Sequence, residues 1–194
     1  MKIGVICEDG EQRAVVEGLI RRGWCPNAVL ELGEFKGMKG RSLRRELPKA
    51  LWALRQKDVQ FFVVMTDADN DNWQTVRNSG LEGVSEEYEP FLIFGVPDRN
   101  VECWVVADRQ YFAGFANCRI EDLSVADPEM VVKRRLLDAG WDSPNQGIVA
   151  LIESPDAPIP TWIESSSSFA AFYEDCRDVA QRNGCHIPNE RERR

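Results

Sequence analysis

The chain has 194 residues, is 43% hydrophobic and 29% charged, and carries a net charge of −8 with a mean hydropathy of −0.37. That is enough for one domain of ordinary size, or one domain with an appendage, and enough apolar material for a core. No apolar run approaches the roughly 20 residues of a membrane span, and the N-terminal segment meets Glu8 too early for a secretory signal. A cytoplasmic protein with no membrane partner is expected.

Residues 2–7 read as a short, apolar, buried strand. Residues 10–22 follow as an amphipathic helix with Val15, Val16, Leu19 and Ile20 on one face and Asp9 as N-cap. Residues 28–32 form a second strand, and Gly33, Gly37 and Gly40 break the chain after it. Ser42 opens a helix to about Gln56, with Pro48 marking its first turn or a kink. The third strand, residues 60–66, has no charge at all, as expected when both faces are covered. A helix over 72–79, an acidic loop over 82–89, a fourth strand over 90–96 and a helix over 101–112 complete the pattern. Alternating strands and helices predict an α/β fold with a mainly parallel sheet.

The last third is helical in expectation and serves as an extension covering the sheet. Residues 128–139 read as a helix with Val131, Val132, Leu136 and Leu137 inward, and residues 168–182 as a final helix capped from the serine run. Residues 154–160, with three prolines, read as an ordered loop, residues 189–194 as a disordered tail, and Trp141 and Trp162 as a partner surface. The boundaries implied are 1–112 for the core, 113–188 for the extension and 189–194 for the tail.

Six cysteines occur, with no Cys-x-x-Cys pair, so a zinc site or redox pair has little support. Cys7 and Cys103 read as small core residues. Reduced thiols in a cytoplasm are the simplest reading. The single histidine, His186, lies in a polar tail and offers little for His-dependent catalysis.

The acids are more telling. Glu8 and Asp9 follow the first strand, and Asp67, Asp69 and Asp71 follow the third. In a parallel sheet the carboxyl ends of strands share one edge, so these groups converge in space. Converged carboxylates repel unless a cation lies between them, and a hard divalent ion such as Mg2+ takes oxygen ligands. An EF-hand loop starting at Asp67 fails, because its sixth and twelfth positions are Asn72 and Asn78 instead of Gly and Glu. A polar Asx turn explains one acid there and leaves the other two over. Ordinary helix capping explains Asp9 and Glu11 better than it explains Glu8. Glu102 opens an apolar helix near the same edge and is a further metal or substrate contact in this reading.

Residues 36–57 carry eight basic residues against Glu46 alone, a local charge of +7. A solvated helix face and a phosphate-tracking surface are both consistent with it.

Glu8 before a Gly-containing turn, then Asp67-x-Asp69 after a later apolar strand, resembles the Toprim (topoisomerase–primase) domain. The run Glu102-Cys103-Trp104-Val105-Val106-Ala107-Asp108 is similar to that of small standalone Toprim-like proteins related to nucleases of the overcoming-lysogenization-defect type. The resemblance covers roughly residues 1–112. It implies a Toprim/Rossmann-like fold and Mg2+- or Mn2+-dependent cleavage of nucleic acid, DNA or RNA, in a defence or toxin setting by analogy. Carried over, Glu8 has acid/base or metal duty, with Glu11 as a second catalytic acid. Asp67 and Asp69 bind metal, with Asp71 and Glu102 beside them. Lys36, Lys39, Arg41, Arg44, Arg45, Lys49, Arg77 and Arg99 would meet backbone phosphates. Whether an ATPase or other protein partner is needed stays open. The chain departs from the pattern where Asp9 intervenes before Gly10. An inactive Toprim-like nucleic-acid or protein-binding module is the alternative. A receiver-like phosphoacceptor domain is a weaker one, because strand four lacks a following Ser/Thr and no strand–Lys pattern comes after it.

Overall fold

The computed structural model describes residues 1–25, 27–33, 41–123 and 126–187. Four strands, β1 (Lys2–Cys7), β2 (Val29–Leu32), β3 (Phe61–Met65) and β4 (Leu92–Gly95), form one sheet in the order β2-β1-β3-β4. Every pairing is parallel, with Val5 opposite Leu32 on one side and Val63 on the other. The α/β architecture with a parallel sheet flanked by helices is thus as expected. Among the described residues the sheet ends at β4.

The side chains alternate. Ile3, Val5, Phe61, Val63, Met65 and Ile93 face one layer of helices, and Ile6, Phe62, Val64, Leu92 and Phe94 face the other. The first layer holds α1 (Gly10–Leu19), α7 (Pro144–Glu153) and α9 (Ser167–Arg182). The second holds α2 (Arg41–Arg55) and α3 (Trp73–Leu81), through Leu47, Leu51, Leu54 and Val76. The chain moves from β1 outward to β2, then passes over β1 to β3. Right-handed crossovers in opposite directions put α1 on one face and α2 on the other. A topological switch point therefore lies between β1 and β3, where crevices open beyond the strand carboxyl ends.

The C-terminal helices do not form a separate layer outside a finished core. Ile3, Phe61, Ile148, Leu151, Ile159, Trp162, Phe169 and Phe172 are all buried in one continuous cluster. α1 and α7 approach closely because Gly18 has no side chain: a Cβ there would lie 2.8 Å from Ile152 Cβ.

Several expectations need correction. The helix expected over 101–112 is two: α4 (Glu102–Val105) ends, and Asp108 caps α5 (Arg109–Phe115) by accepting from the Tyr111 N–H. The helix α6 (Pro128–Asp138) leaves Leu137 half exposed instead of inward. α7 was not anticipated, and the proline-rich stretch contributes to α8 (Ile159–Ser165), with Pro160 in its first turn where a missing N–H costs nothing. Trp162 is 1% exposed and belongs to the core, so it lines no partner surface. Trp141 is half-buried and stacks on Phe115. Cys7 and Cys103 are half-buried. Cys25 and Cys185 form a disulfide, correcting the expectation that all thiols are reduced and removing that ground for a cytoplasmic placement. The C-terminal segment returns to Trp24, whose carbonyl accepts from the His186 N–H, which brings the two cysteines together. No described helix is long and apolar enough to cross a membrane. The tail 189–194 lies outside the described residues.

Candidate functional site

Glu8 leaves the end of β1 and Asp67 the end of β3, the two neighbours at the switch point. They meet directly. One Glu8 oxygen accepts from the Thr66 hydroxyl at 2.8 Å and the other from the Asp67 backbone N–H at 3.1 Å. Gln12, fully buried on α1, ties the pair together. Its amide N–H donates to Asp67 Oδ1 at 2.8 Å, and its Oε1 accepts from the Glu8 backbone N–H at 2.9 Å. Asp9 caps α1 by accepting from the Gln12 N–H, which fixes the turn that carries Glu8.

The electrostatics follow from this packing. Burial pushes the Asp67 carboxyl up to about 8; the Gln12 amide opposes this, and the nearby charges of Asp9, Glu8 and Glu102 add to it. Burial likewise raises Asp9. The hydrogen bonds described for the two strand-end carboxyls come from an amide, a hydroxyl and a backbone N–H.

A second cluster stands beside the first, on helices. Glu102 on α4 is 2% exposed. Lys133 on α6 reaches it at 3.8 Å, Glu11 on α1 at 3.3 Å and Glu129 on its own helix at 2.7 Å. Burial raises Glu102 to about 7, with Lys133 pulling it down and Glu129 and Asp9 pushing it up. Burial opposes the charge on Lys133, but the hydrogen bond to Glu129 and the charges of Glu11 and Glu102 outweigh it and hold the ammonium charged.

Asp69 and Asp71 lie on the exposed loop after β3. Asp69 adopts φ 53°, a left-handed conformation that Asp tolerates in turns. Its N–H donates to the Arg99 carbonyl, and that of Ala68 to the Pro97 carbonyl, so this loop is tied to the loop after β4. The acids expected to converge therefore divide into a half-buried pair, Glu8 and Asp67, an exposed pair, Asp69 and Asp71, and a lysine-bridged pair, Glu11 and Glu102.

As the side chains stand, no three His, Cys, Asp or Glu among the described residues enclose a metal position. The donor set still suits Mg2+, which keeps several waters and is commonly held by one or two carboxylates together with a phosphate. Burial is the main cause that raises Asp67, and the charges of Asp9, Glu8 and Glu102 add to it.

The basic candidates are dispersed. Lys36 and Lys39, and the side chains of Arg41 and Arg44, lie outside the described residues. Arg45 and Lys49 are exposed and both pair with Glu46. Arg77 forms an ion pair with Asp175 at 2.6 Å, linking α3 to α9. Arg99 is exposed and donates weakly to the Ala126 carbonyl. Sequence reasoning missed Gln12, Thr66, Lys133 and Arg13. Arg13 is exposed near the start of α1 and forms no ion pair among the described residues. A buried Gln on an otherwise apolar helix face was the one available signal.

Comparison of the chain with protein-family models, with curated proteins and with solved structures finds no match.

Proposed function

We propose that this sheet edge is a divalent-cation-assisted phosphodiesterase site acting on nucleic acid, of the Toprim type that the sequence resembles. One observation carries the reading: Glu8 and Asp67 meet at the carboxyl ends of adjacent parallel strands, at the switch point, linked by Thr66, the Asp67 backbone N–H and Gln12. Glu8 and Asp67 would hold the cation, with Asp69 in reach from the loop. Bound there, Mg2+ or Mn2+ would polarise the phosphate and lower the pKa of the attacking water.

The chain's own residues supply the rest. Gln12 and Thr66 orient the two carboxylates. Glu8 would serve as general base or metal ligand. Glu11 is held by Lys133 and is less suited to that duty. Arg13 and Arg99, with Arg45 and Lys49 on α2, offer charge to backbone phosphates, which gives salt-sensitive binding without sequence readout.

The test is cleavage of single- and double-stranded DNA and RNA with Mg2+ or Mn2+, using wild type, Asp67→Asn and Glu8→Gln. The expected result is metal-dependent cleavage by wild type, lost in both variants with nucleic-acid binding kept. Cleavage that survives both substitutions overturns the reading. Binding without cleavage by wild type favours an inactive binding module.

A further inference from the structure

Helices α1 and α7 run side by side in the same direction, and an open groove of about 600 Å³ lies between them. Gly10 meets Asn145 near the start of both helices, and Gly18 meets Ile152 near the end of both. Trp141, just before α7, therefore lines the groove at the end that begins beside the sheet edge. A volume of this size falls in the range of ligand pockets, about 300–1,000 Å³. The two ends differ in charge. At the far end Arg21 is taken up by Glu17 in an ion pair, and Glu153 adds a further negative charge. At the near end Arg13 is exposed and forms no ion pair among the described residues.

The near end also holds an aromatic platform. Trp141 stacks on Phe115, with ring centroids 5.6 Å apart and an interplanar angle of 8°, and Phe115 stacks on Tyr111. The indole is thus fixed in orientation while it stays only half-buried. Asn145 and Gln146 follow it along α7, and an amide matches the donor and acceptor edges of a base. The Asn145 Oδ1 is buried and meets no hydrogen-bond donor among the described residues, which leaves an acceptor for a ligand to satisfy. A fixed π-face beside an unpaired guanidinium suits a nucleotide, with the base on the ring and the phosphate on the cation. Resting on the nucleic-acid reading above, we infer that this groove takes an unpaired nucleotide, so that the substrate is a single strand. In a duplex the faces of each base are covered by its neighbours and none is open to Trp141. α1 begins two residues after Glu8, a span of at most about 7 Å. A strand with a phosphate at the sheet edge therefore continues directly into the groove.

The experiment is fluorescence anisotropy of a labelled oligothymidylate of about 12 nucleotides, within the site sizes of single-strand binders, and of a duplex of the same length, titrated with the full chain in EDTA. Neither cleavage nor a cation then contributes. The single strand is expected to bind at least about tenfold tighter than the duplex. Trp141→Ala is expected to weaken single-strand binding by roughly 10- to 100-fold, the cost of one lost base stack, and Trp141→Phe, which keeps a ring, by less than about threefold. Arg13→Gln is expected to lower the log–log salt slope by about 0.7, one phosphate contact. Equal affinity for the duplex, or full single-strand affinity in folded Trp141→Ala, overturns the inference while leaving the site reading intact. Competition by thymidine monophosphate at equal molar concentration also overturns it, because the groove would then serve a free nucleotide. No binding to any nucleic acid overturns both readings. Trp141-dependent binding without cleavage in Mg2+ or Mn2+ supports the inference and overturns the cleavage reading alone. Should Trp141→Ala fail to fold, ultraviolet crosslinking of a 5-iodouracil-substituted strand to wild type decides. Attachment at Trp141 supports the inference, and attachment only elsewhere overturns it.

Discussion

The strand-end and helical halves of the acidic edge are built from the same residue types and answered differently. Among the described contacts, Glu8 and Asp67 accept from an amide, a hydroxyl and a backbone N–H. Glu11 and Glu102 are held by the ammonium of Lys133. A neutral donor fixes a carboxylate in position and leaves its charge to act outward, while an ammonium cancels it. In the proposed reading the cation sits at the ends of β1 and β3.

The largest expected effect comes from breaking the strand-end half. Asp67→Asn or Glu8→Gln should lower metal-dependent cleavage by more than about 100-fold, beyond the range typical for outer-shell partners. Gln12→Leu keeps both carboxylates and removes the amide that orients them. Its loss should fall in the range of about 10–100-fold typical of such partners. Steady-state cleavage rates at saturating metal check both. An effect of Gln12→Leu as large as that of Asp67→Asn would erase the distinction between holding the ion and orienting its ligands.

Breaking the helical half should appear first in stability. Lys133→Met leaves Glu102 buried without its counter-charge. Breaking a fully buried pair costs about 3–5 kcal/mol, and partial exposure of Lys133 reduces this to roughly 1–3 kcal/mol at pH 8. The removal raises the Glu102 pKa further above about 7. Below that value the carboxyl is protonated and the penalty disappears, so the loss should shrink by pH 6. Urea unfolding at the two pH values measures it, and an equal loss at both would place the cost in packing instead of charge.

Asp67 gives the metal-free protein a pH dependence of its own. Folded, its carboxyl keeps a proton up to about pH 8; unfolded, it releases it near 3.8. Between those values the folded state binds more protons, so the contribution of this group to stability falls as pH rises. Asp67→Asn should flatten that part of the profile and melt above wild type at pH 8 without metal. The smallest effect belongs to Asp71→Ala. Asp71 is exposed and outside the strand-end pair, and its loss should change cleavage by less than about threefold, within the range of surface changes. A larger loss would extend the cation site out along the loop.

Much of this was legible in the sequence, for identifiable reasons. The parallel sheet follows from apolar runs with no charge, such as 61–65, and from helix signals such as Asp9 before α1. Glu8 and Asp67 stand out because each ends an apolar strand, and parallel topology does the rest. The helical half was not readable. Lys133 lies in an ordinary Glu-x-x-x-Lys helix, and nothing in local spacing says that its ammonium reaches Glu11 and Glu102. Pro160 resembled loop punctuation but sits in the first turn of α8, where proline is tolerated. Asp108 splits one expected helix into two by capping the second. The Cys25–Cys185 disulfide joins segments 160 residues apart, a pairing that only tertiary packing determines.

The most direct test of the central claim is thermal unfolding of wild type and Asp67→Asn with and without Mn2+ at pH 8. A ligand bound only by the folded state at about 100 times its Kd stabilises by about 2.7 kcal/mol, or roughly 5–10 °C for a chain of this size. The account predicts a rise of that order in wild type and none in Asp67→Asn, which should instead start from a higher melting temperature in the absence of metal. An equal rise in both proteins, or none in wild type at millimolar Mn2+, would contradict a cation site built on Glu8 and Asp67.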